Sequence, residues 1–409
     1  MASLIPVTIT RIGDHLPLLE LLPNDAPLSW VRNGEGLVGW GVQATTTVSG
    51  RDRFEKAREW WHHQLETFSI ANSVHGSGTG PVLFTSFSFD RNEESVLVIP
   101  KVIVGQKGSQ SWITWIGDQP QPVLSDLPAQ YSHSEFTYGD GSISSDAWKE
   151  RVAEAIKRIE QSEVDKVVLA RDLVATTTSE IDARPILKKL AAEYPSTWTF
   201  AVDGLVGATP ELLLRLSRGM VTSRVLAGTI PKTGDDEKDL ALAGSLARSS
   251  KDLEEHEYAV RSVAEALEPF CSSTNVPESP FVLHLANVMH LATDVTGALI
   301  ETKQRVDAFA LLKSLHPSAA VCGTPRNIAF DIIDEIEGMN RGRYAGPVGW
   351  IDASGDGELG IALRTGQISG KEIRIYAGCG IVAGSNPEKE LEESAAKMIP
   401  MKSALQHHS

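Results

Sequence analysis

Two kinds of pattern in this chain carry residues able to do acid–base or metal chemistry. One is a lysine and a glutamate at the starts of apolar strands. The other is a pair of carboxylates three residues apart, and it occurs twice. Lys166 opens the apolar run "KVVLAR". A lysine there reads as an edge residue whose stem lies along the strand while its ammonium reaches water. It also reads as a general base, a role that demands burial or a neighbouring cation. Glu211, in "GATPELLLRLS", begins the strand after a turn predicted at Gly207 and Pro210. A glutamate at a strand start is usually solvated. In an apolar site its carboxyl would stay protonated and serve as a general acid.

Asp252 and Glu255 in "KDLEEHEYAV" are three apart, as are Glu390 and Glu393 in "GSNPEKELEESAAKM". Residues at that spacing share a helix face. Each pair alone is an ordinary solvated face. In the second stretch Asn386 suits an N-cap, Pro387 suits the first helical position, and acids there offset the helix dipole. Carboxylate pairs from two distant helices could also share one Mg²⁺, which takes few protein carboxylates and keeps other oxygens around it. His256, next to Glu255, reads as a structural histidine.

Glycine gathers in "LAGT" (Leu226–Thr229), "CGTPR" (Cys322–Arg326), "YAGPVGW" (Tyr344–Trp350) and "YAGCGIVAGSNP" (Tyr376–Pro387). Glycine lets backbone amides come close to an anion. Arg364, in "IALRTG", is a candidate bidentate partner for a carboxylate. Each piece alone is a tight turn. Four of them with a lone strand arginine weaken that reading.

The elements that must position these groups can be outlined. Strands are predicted at Pro81–Phe89, Ser95–Gly105 and Ser111–Gly117, after an amphipathic helix at Arg51–Phe68. The polar stretch Asp140–Lys149 marks a boundary, dividing the chain into regions 1–140 and 141–409. A helix then carries Trp148, Val152, Ala155, Ile156 and Ile159 at helical spacing. The strand Lys166–Leu173 and a helix Arg184–Tyr194 follow, then strands Trp198–Val202, Glu211–Ser217 and Met220–Gly228. Helices are expected at Glu237–Ala247, Asp252–Pro269 and Asn327–Glu337. Strands "PVGWID", "ELGIALRTGQI" and "EIRIYAGCGIV" complete the pattern. Runs of strands separated by helices predict an α+β fold with large antiparallel sheets. There is no P-loop and no GxGxxG.

With 409 residues, 42% of them hydrophobic, the chain can fill a large core as one or two domains. Its net charge of −15 and the absence of a Lys/Arg block argue against nucleic acid. An acidic protein that binds an anion must concentrate cations or amides locally. Three scattered cysteines argue for a reducing compartment. No window approaches a membrane span and the start lacks a signal pattern, so a cytoplasmic location is expected.

From about residue 145 to 400, these motifs in this order resemble the chorismate-utilising enzymes, a family that includes isochorismate, salicylate and anthranilate synthases. The resemblance rests on "KVVLAR", "GATPELLL", "LAGT", "KDLEEHEYAV", "MHLAT", "HPSAAVCGTPR", "YAGPVGW", "ALRTG" and "YAGCGIVAGSNPEKELEES". It implies a sandwich of large antiparallel sheets flanked by helices, with a variable region over 1–140. It implies chorismate as substrate, Lys166 as the base that activates water, and Glu211 as the acid that protonates the departing hydroxyl. Mg²⁺ would be held by Glu255 and Glu393 with Asp252 and Glu390 in support. Gly228, Thr229, Tyr344, Arg364, Gly378 and Gly380 would cradle the substrate, and His290 would stand beside the reacting centre.

Within the family, a lysine at position 166 goes with water as nucleophile, whereas the ammonia-using members carry an uncharged residue and need a glutaminase, which is not expected here. Ala227 stands where aminodeoxychorismate synthases use a lysine. Ala320 and Val321 stand where salicylate synthases tend to show a threonine. The resemblance therefore favours isochorismate synthase, with salicylate synthase or a non-catalytic chorismate-binding relative as alternatives. A monomer is the family default. The use of the product, for menaquinone, a catecholate siderophore or salicylate, is left open. Cys379 departs from the alanine usual at its position.

Overall fold

The computed structural model describes residues 4–13, 17–124, 135–301 and 306–406. The N-terminal leader reading falls partly on residues 1–3 and 14–16, and segment 125–134 of the N-terminal region also lies outside the described residues. Among the described residues, twenty-one strands join into one hydrogen-bonded network. Every pairing among them is antiparallel except that of Ile5–Ile12 with Phe68–Asn72. Eight described α-helices flank the sheets, giving the α+β architecture expected. The first 140 residues are not set apart in the sheet. Their strand Leu28–Arg32 pairs with Trp198–Val202, and Val82–Ser86 pairs with Pro347–Asp352.

Local signals account for the helices. Ser144 caps the helix Ser145–Glu160 by accepting from the Ala147 amide, and Trp148, Val152, Ala155 and Ile159 form its buried stripe. Ile156, expected on that stripe, is only half-buried at its margin. Asn386 caps the helix Pro387–Leu405 through the amides of Glu388 and Lys389. One large core packs around Trp30, Phe84, Trp148 and Leu312, and a second holds Leu187, Ile375 and Met398. His62 and His63 are exposed on the helix Arg53–Glu66, as a surface reading requires.

Three expectations are corrected at the site itself. The stretch "ELGIALRTGQI" is not one strand. It forms Gly357–Ile361 and Thr365–Ser369, broken at Arg364, whose φ is 51°. Arg364 is therefore a left-handed residue in a sheet interruption, a conformation rare outside glycine and costly without support. Gly207 is not in a turn; it lies within the strand Leu205–Thr209. A side chain there would come within 2.8 Å of both the Arg364 carbonyl and the Phe200 ring. Alternation alone could not locate a break that tertiary contacts support. The strand after Pro210 begins at Leu212, so Glu211 sits in the link between two strands. The sequence reading also missed the helix Ala308–Leu315 and the long strand Val288–Leu299 that carries His290.

Candidate active site

The strand Lys166–Thr176 runs beside Glu372–Ile381 from Val167 to Thr176, which sets Val168 opposite Gly380 and Ala170 opposite Gly378. Gly378 and Gly380 alternate outward from Cys379 and face a cavity of about 570 Å³. Its walls also include Glu211, Gly228, Thr229, Glu255, His290, Tyr344 and Arg364. Nine of the thirteen residues expected at a site therefore line one cavity. A larger cavity, about 1160 Å³, is walled by Trp30, Trp112, Trp198 and Trp350. Of its two acids, Glu358 accepts from the Trp30 and Trp198 indoles and from Arg215, and Glu35 is exposed and accepts from the Gly108 amide, so neither is a buried acid beside a buried base.

Glu211 is 4% exposed, and burial pushes its carboxyl up to about 8, against the opposing pull of Arg364, Lys166 and Lys397. It is therefore protonated at neutral pH. Arg364 donates to His290 Nε2 at 2.9 Å. A guanidinium cannot accept, so Nε2 is the bare nitrogen and the proton of the ring sits on Nδ1. That nitrogen lies 3.1 Å from Thr229 Oγ1 and 3.3 Å from the Gly228 carbonyl. Burial and the Arg364 charge hold His290 well below its usual range, in keeping with a neutral ring. The chain Arg364–His290–Thr229 thus fixes one wall. Tyr344 stacks on Tyr376 with ring centroids 5.0 Å apart, and burial pushes its phenol up to about 12.

Four expected residues stand behind the cavity wall: Lys166, Asp252, Glu390 and Glu393. Lys166 is fully buried and its Nζ faces Glu255, 3.3 Å from Oε1 and donating to the backbone carbonyl at 3.4 Å. Burial pushes the Glu255 carboxyl up, but Lys166, Lys397 and Lys251 outweigh it and hold it below the usual range. Glu393 is paired with Lys397 at 2.6 Å, and Glu390 with Lys251 at 2.7 Å. Burial raises both Asp252 and Glu390. Repulsion from Glu255 adds to it at Asp252, and repulsion from Glu393 adds to it at Glu390. Among the described residues, the metal-competent atoms within 4.8 Å of one another belong to Cys379, Glu390 and Glu393. Asp252 and Glu255 lie outside that tight group. The Cys379 thiol is pushed well above its usual range by burial and donates to the Glu390 carbonyl, so it adds no hard donor. Glu390 and Glu393 on one helix and Asp252 and Glu255 on another offer carboxylate oxygens, the donor type Mg²⁺ takes, and of the four only Glu390 and Glu393 fall within that tight group.

Sequence reasoning missed the lysines. Lys397 donates to the Gly378 carbonyl at 3.0 Å and lines the cavity. Its signal was present, because Glu393 and Lys397 are spaced i,i+4 on one helix. Lys251 and Arg341 have the same spacing from Glu255 and Glu337, but their contacts with Glu390 and with the Val168 and Val321 carbonyls are long-range and carry no sequence mark.

Gly380 gives a direct test of the packing. An added Cβ would lie 2.1 Å from Glu255 Oε1 and 3.0 Å from Lys166 Cε. The backbone conformation of Gly380 suits any residue, so Gly380→Ala probes space alone. The variant should fold with a loss of about 1–3 kcal/mol from overpacking. Its kcat should fall at least about tenfold because the Glu255–Lys166 pair must move. Thermal melts and steady-state rates measure both.

A protonated carboxyl, a buried lysine, a guanidinium and glycine-lined strands around one cavity make the site of an enzyme for a small anionic substrate. A family profile described as "Chorismate binding enzyme" matches residues 28–406, and the chain belongs to that family. It is 34% identical over 403 residues to isochorismate synthase MenF of Bacillus subtilis, with 90% of this chain and 85% of that protein covered. It is 33% identical to isochorismate synthase DhbC of the same organism, covering 84% of this chain and 87% of that one. The solved structure of MenF, the menaquinone-specific isochorismate synthase from Escherichia coli, superimposes with a TM-score of 0.80 at 25% identity, over 98% of this chain and 95% of that one.

Proposed function

We propose that this protein is an isochorismate synthase that converts chorismate to isochorismate with Mg²⁺. The observation that carries the reading is the buried Glu211 on the wall of the same cavity as Glu255, whose carboxylate meets Lys166, with Arg364 and His290 forming another wall. The reaction adds water at C2 and expels the C4 hydroxyl as the double bonds shift. Lys166 acts as the neutral amine, whose lone pair takes a proton from the water as it attacks and leaves the ammonium facing Glu255. Glu211 gives its proton to the departing hydroxyl, which leaves as water. Acid and base each supply about 10²–10⁴-fold. Arg364 and Lys397, with the amides of Gly378 and Gly380, hold the substrate's carboxylates, and neutral His290 keeps Arg364 aimed at them. Asp252, Glu255, Glu390 and Glu393 would hold Mg²⁺, which neutralises a substrate carboxylate when bound.

The protein is proposed to act in the cytoplasm as a monomer on free chorismate, without a glutaminase subunit or nucleic acid. Among the described residues no helix is long and apolar enough to cross a membrane. The test is purified protein with chorismate, with and without Mg²⁺. Isochorismate as sole product supports the reading. Salicylate with pyruvate would move it to salicylate synthase, and binding without turnover would make it a chorismate-binding relative. Glu393→Ala should weaken Mg²⁺ binding by calorimetry about 10–100-fold and lower activity in parallel. An unchanged metal requirement removes Glu393 from the metal site.

A further inference from the structure

The strand that begins at Lys166 is incomplete on one side. Glu372–Ile381 borders it from Val167 to Thr176. On the other side Gly323 and Thr324 pair with Val167 and Lys166, and Thr137–Asp140 pairs with Leu173–Thr176. Between these two partners no described strand borders Val168–Asp172. The Cys322 carbonyl takes the Val168 amide at 2.7 Å and the Trp148 indole donates to the Ala170 carbonyl at 3.0 Å; two charged side chains fill the rest of the gap. Glu337 Oε2 accepts from the Ala170 amide at 2.8 Å, and Arg341 Nη2 donates to the Val168 carbonyl at 2.7 Å. An acid and a guanidinium thus stand in for the carbonyl and amide of a missing strand. Arg341 Nη1 also donates to the Val321 carbonyl at 2.8 Å, and Nε to Glu337 Oε1 at 2.7 Å.

This arrangement is a costly way to close a sheet. The Arg341 and Glu337 side chains are 3% and 1% exposed. A buried ion pair is weak as a stabiliser, because desolvation offsets most of its attraction. What it does hold is geometry. Val168 and Val321, whose carbonyls Arg341 ties together, both line the cavity, as does Arg341 itself. Lys166 is two residues before Val168 and so projects from the same strand face. The guanidinium lies 4.1 Å from the centre of the Phe89 ring, which limits its movement.

We propose that Arg341, braced by Glu337, is a positioning residue that sets the reach of Lys166. It does so by fixing the Val168 and Val321 carbonyls against each other across the gap. The inference rests on the proposed function for its rate readout, but not for its structural one. A lysine at 341 keeps the charge and reaches one carbonyl, not two.

Arg341→Lys is compared with wild type and with Arg184→Lys, which alters a buried pair with Asp182 away from the cavity. Three quantities are read: thermal midpoint, amide hydrogen exchange of residues 166–172, and steady-state rates on chorismate. In Arg341→Lys, exchange at Val168–Ala170 should quicken. Its kcat should fall about 10–100-fold, as expected for a misplaced reacting group, with KM within about twofold. Arg184→Lys should lower the midpoint and leave both other readouts at wild-type values. Faster exchange with unchanged kcat would overturn the proposal, making Arg341 structural only. Raised KM with unchanged kcat would overturn it too, making Arg341 a substrate contact, and so would wild-type exchange. Should Arg341→Lys fail to fold, Glu337→Gln takes its place, since it keeps the acceptor for Ala170 while removing the charge that braces Arg341. Lack of turnover by wild type would refute the proposed function and leave the exchange result to decide the positioning role.

Discussion

Replacing Lys166 by alanine should lower turnover of chorismate about 10²–10⁴-fold while the substrate still binds. The cavity survives the change, because Lys166 stands behind its wall and Arg364, Gly378 and Gly380 are untouched. A second consequence separates a base from a residue that merely packs. When protonated, Lys166 is the ion-pair partner of Glu255, at 3.3 Å. With it gone, Mg²⁺ no longer competes with that ammonium for the carboxylate, so calorimetry should find metal affinity held or increased. Wild-type turnover by Lys166→Ala would sink the base assignment. A loss of rate together with a loss of metal and substrate binding would mark a collapsed site.

Glu211→Gln should bring a loss of similar size, since an amide has no proton of suitable acidity to give. Its pH behaviour makes the prediction specific. Burial raises the wild-type carboxyl from 4.5 to about 8. Between those values the folded protein holds a proton that the unfolded chain has released. Stability linked to Glu211 is therefore complete below pH 4.5 and declines as pH rises, by about 1.4 kcal/mol per unit, until the folded group ionises near pH 8. Glutamine removes this dependence. Urea unfolding at pH 5, 7 and 9 should show the variant gaining on wild type as pH rises, then levelling off. Wild-type turnover should also fall above about pH 8 as the acid loses its proton. Parallel stability curves for the two proteins would mean Glu211 is ionised in the fold.

What could be read from the sequence was set by distance along the chain. The cap at Asn386, the stripe of Trp148, Val152, Ala155 and Ile159, and the paired carboxylates are local patterns, and the structure has the helices they predict. Nine of the thirteen marked residues surround one cavity because ordered motifs carried long-range information that spacing alone lacks. The rest depends on contacts between remote segments. The break at Arg364 needs the close approach of Gly207. Lys251 reaches Glu390 across two helices, and Arg341 fills a gap defined by three separate strands. No periodicity in the chain encodes any of these. The tight grouping of Glu390 and Glu393 with Cys379, and not with Asp252 and Glu255, likewise follows from how two helices and a strand meet.

The pairing of early strands with late ones bears on how the chain is made. Val82–Ser86 has its partner at Pro347–Asp352, and Leu28–Arg32 has its partner at Trp198–Val202. At roughly 5–20 residues per second on the ribosome, the first of these strands waits tens of seconds with an open edge before its neighbour emerges. The nascent N-terminal third is thus a natural client for holding chaperones, and slow translation should favour its aggregation.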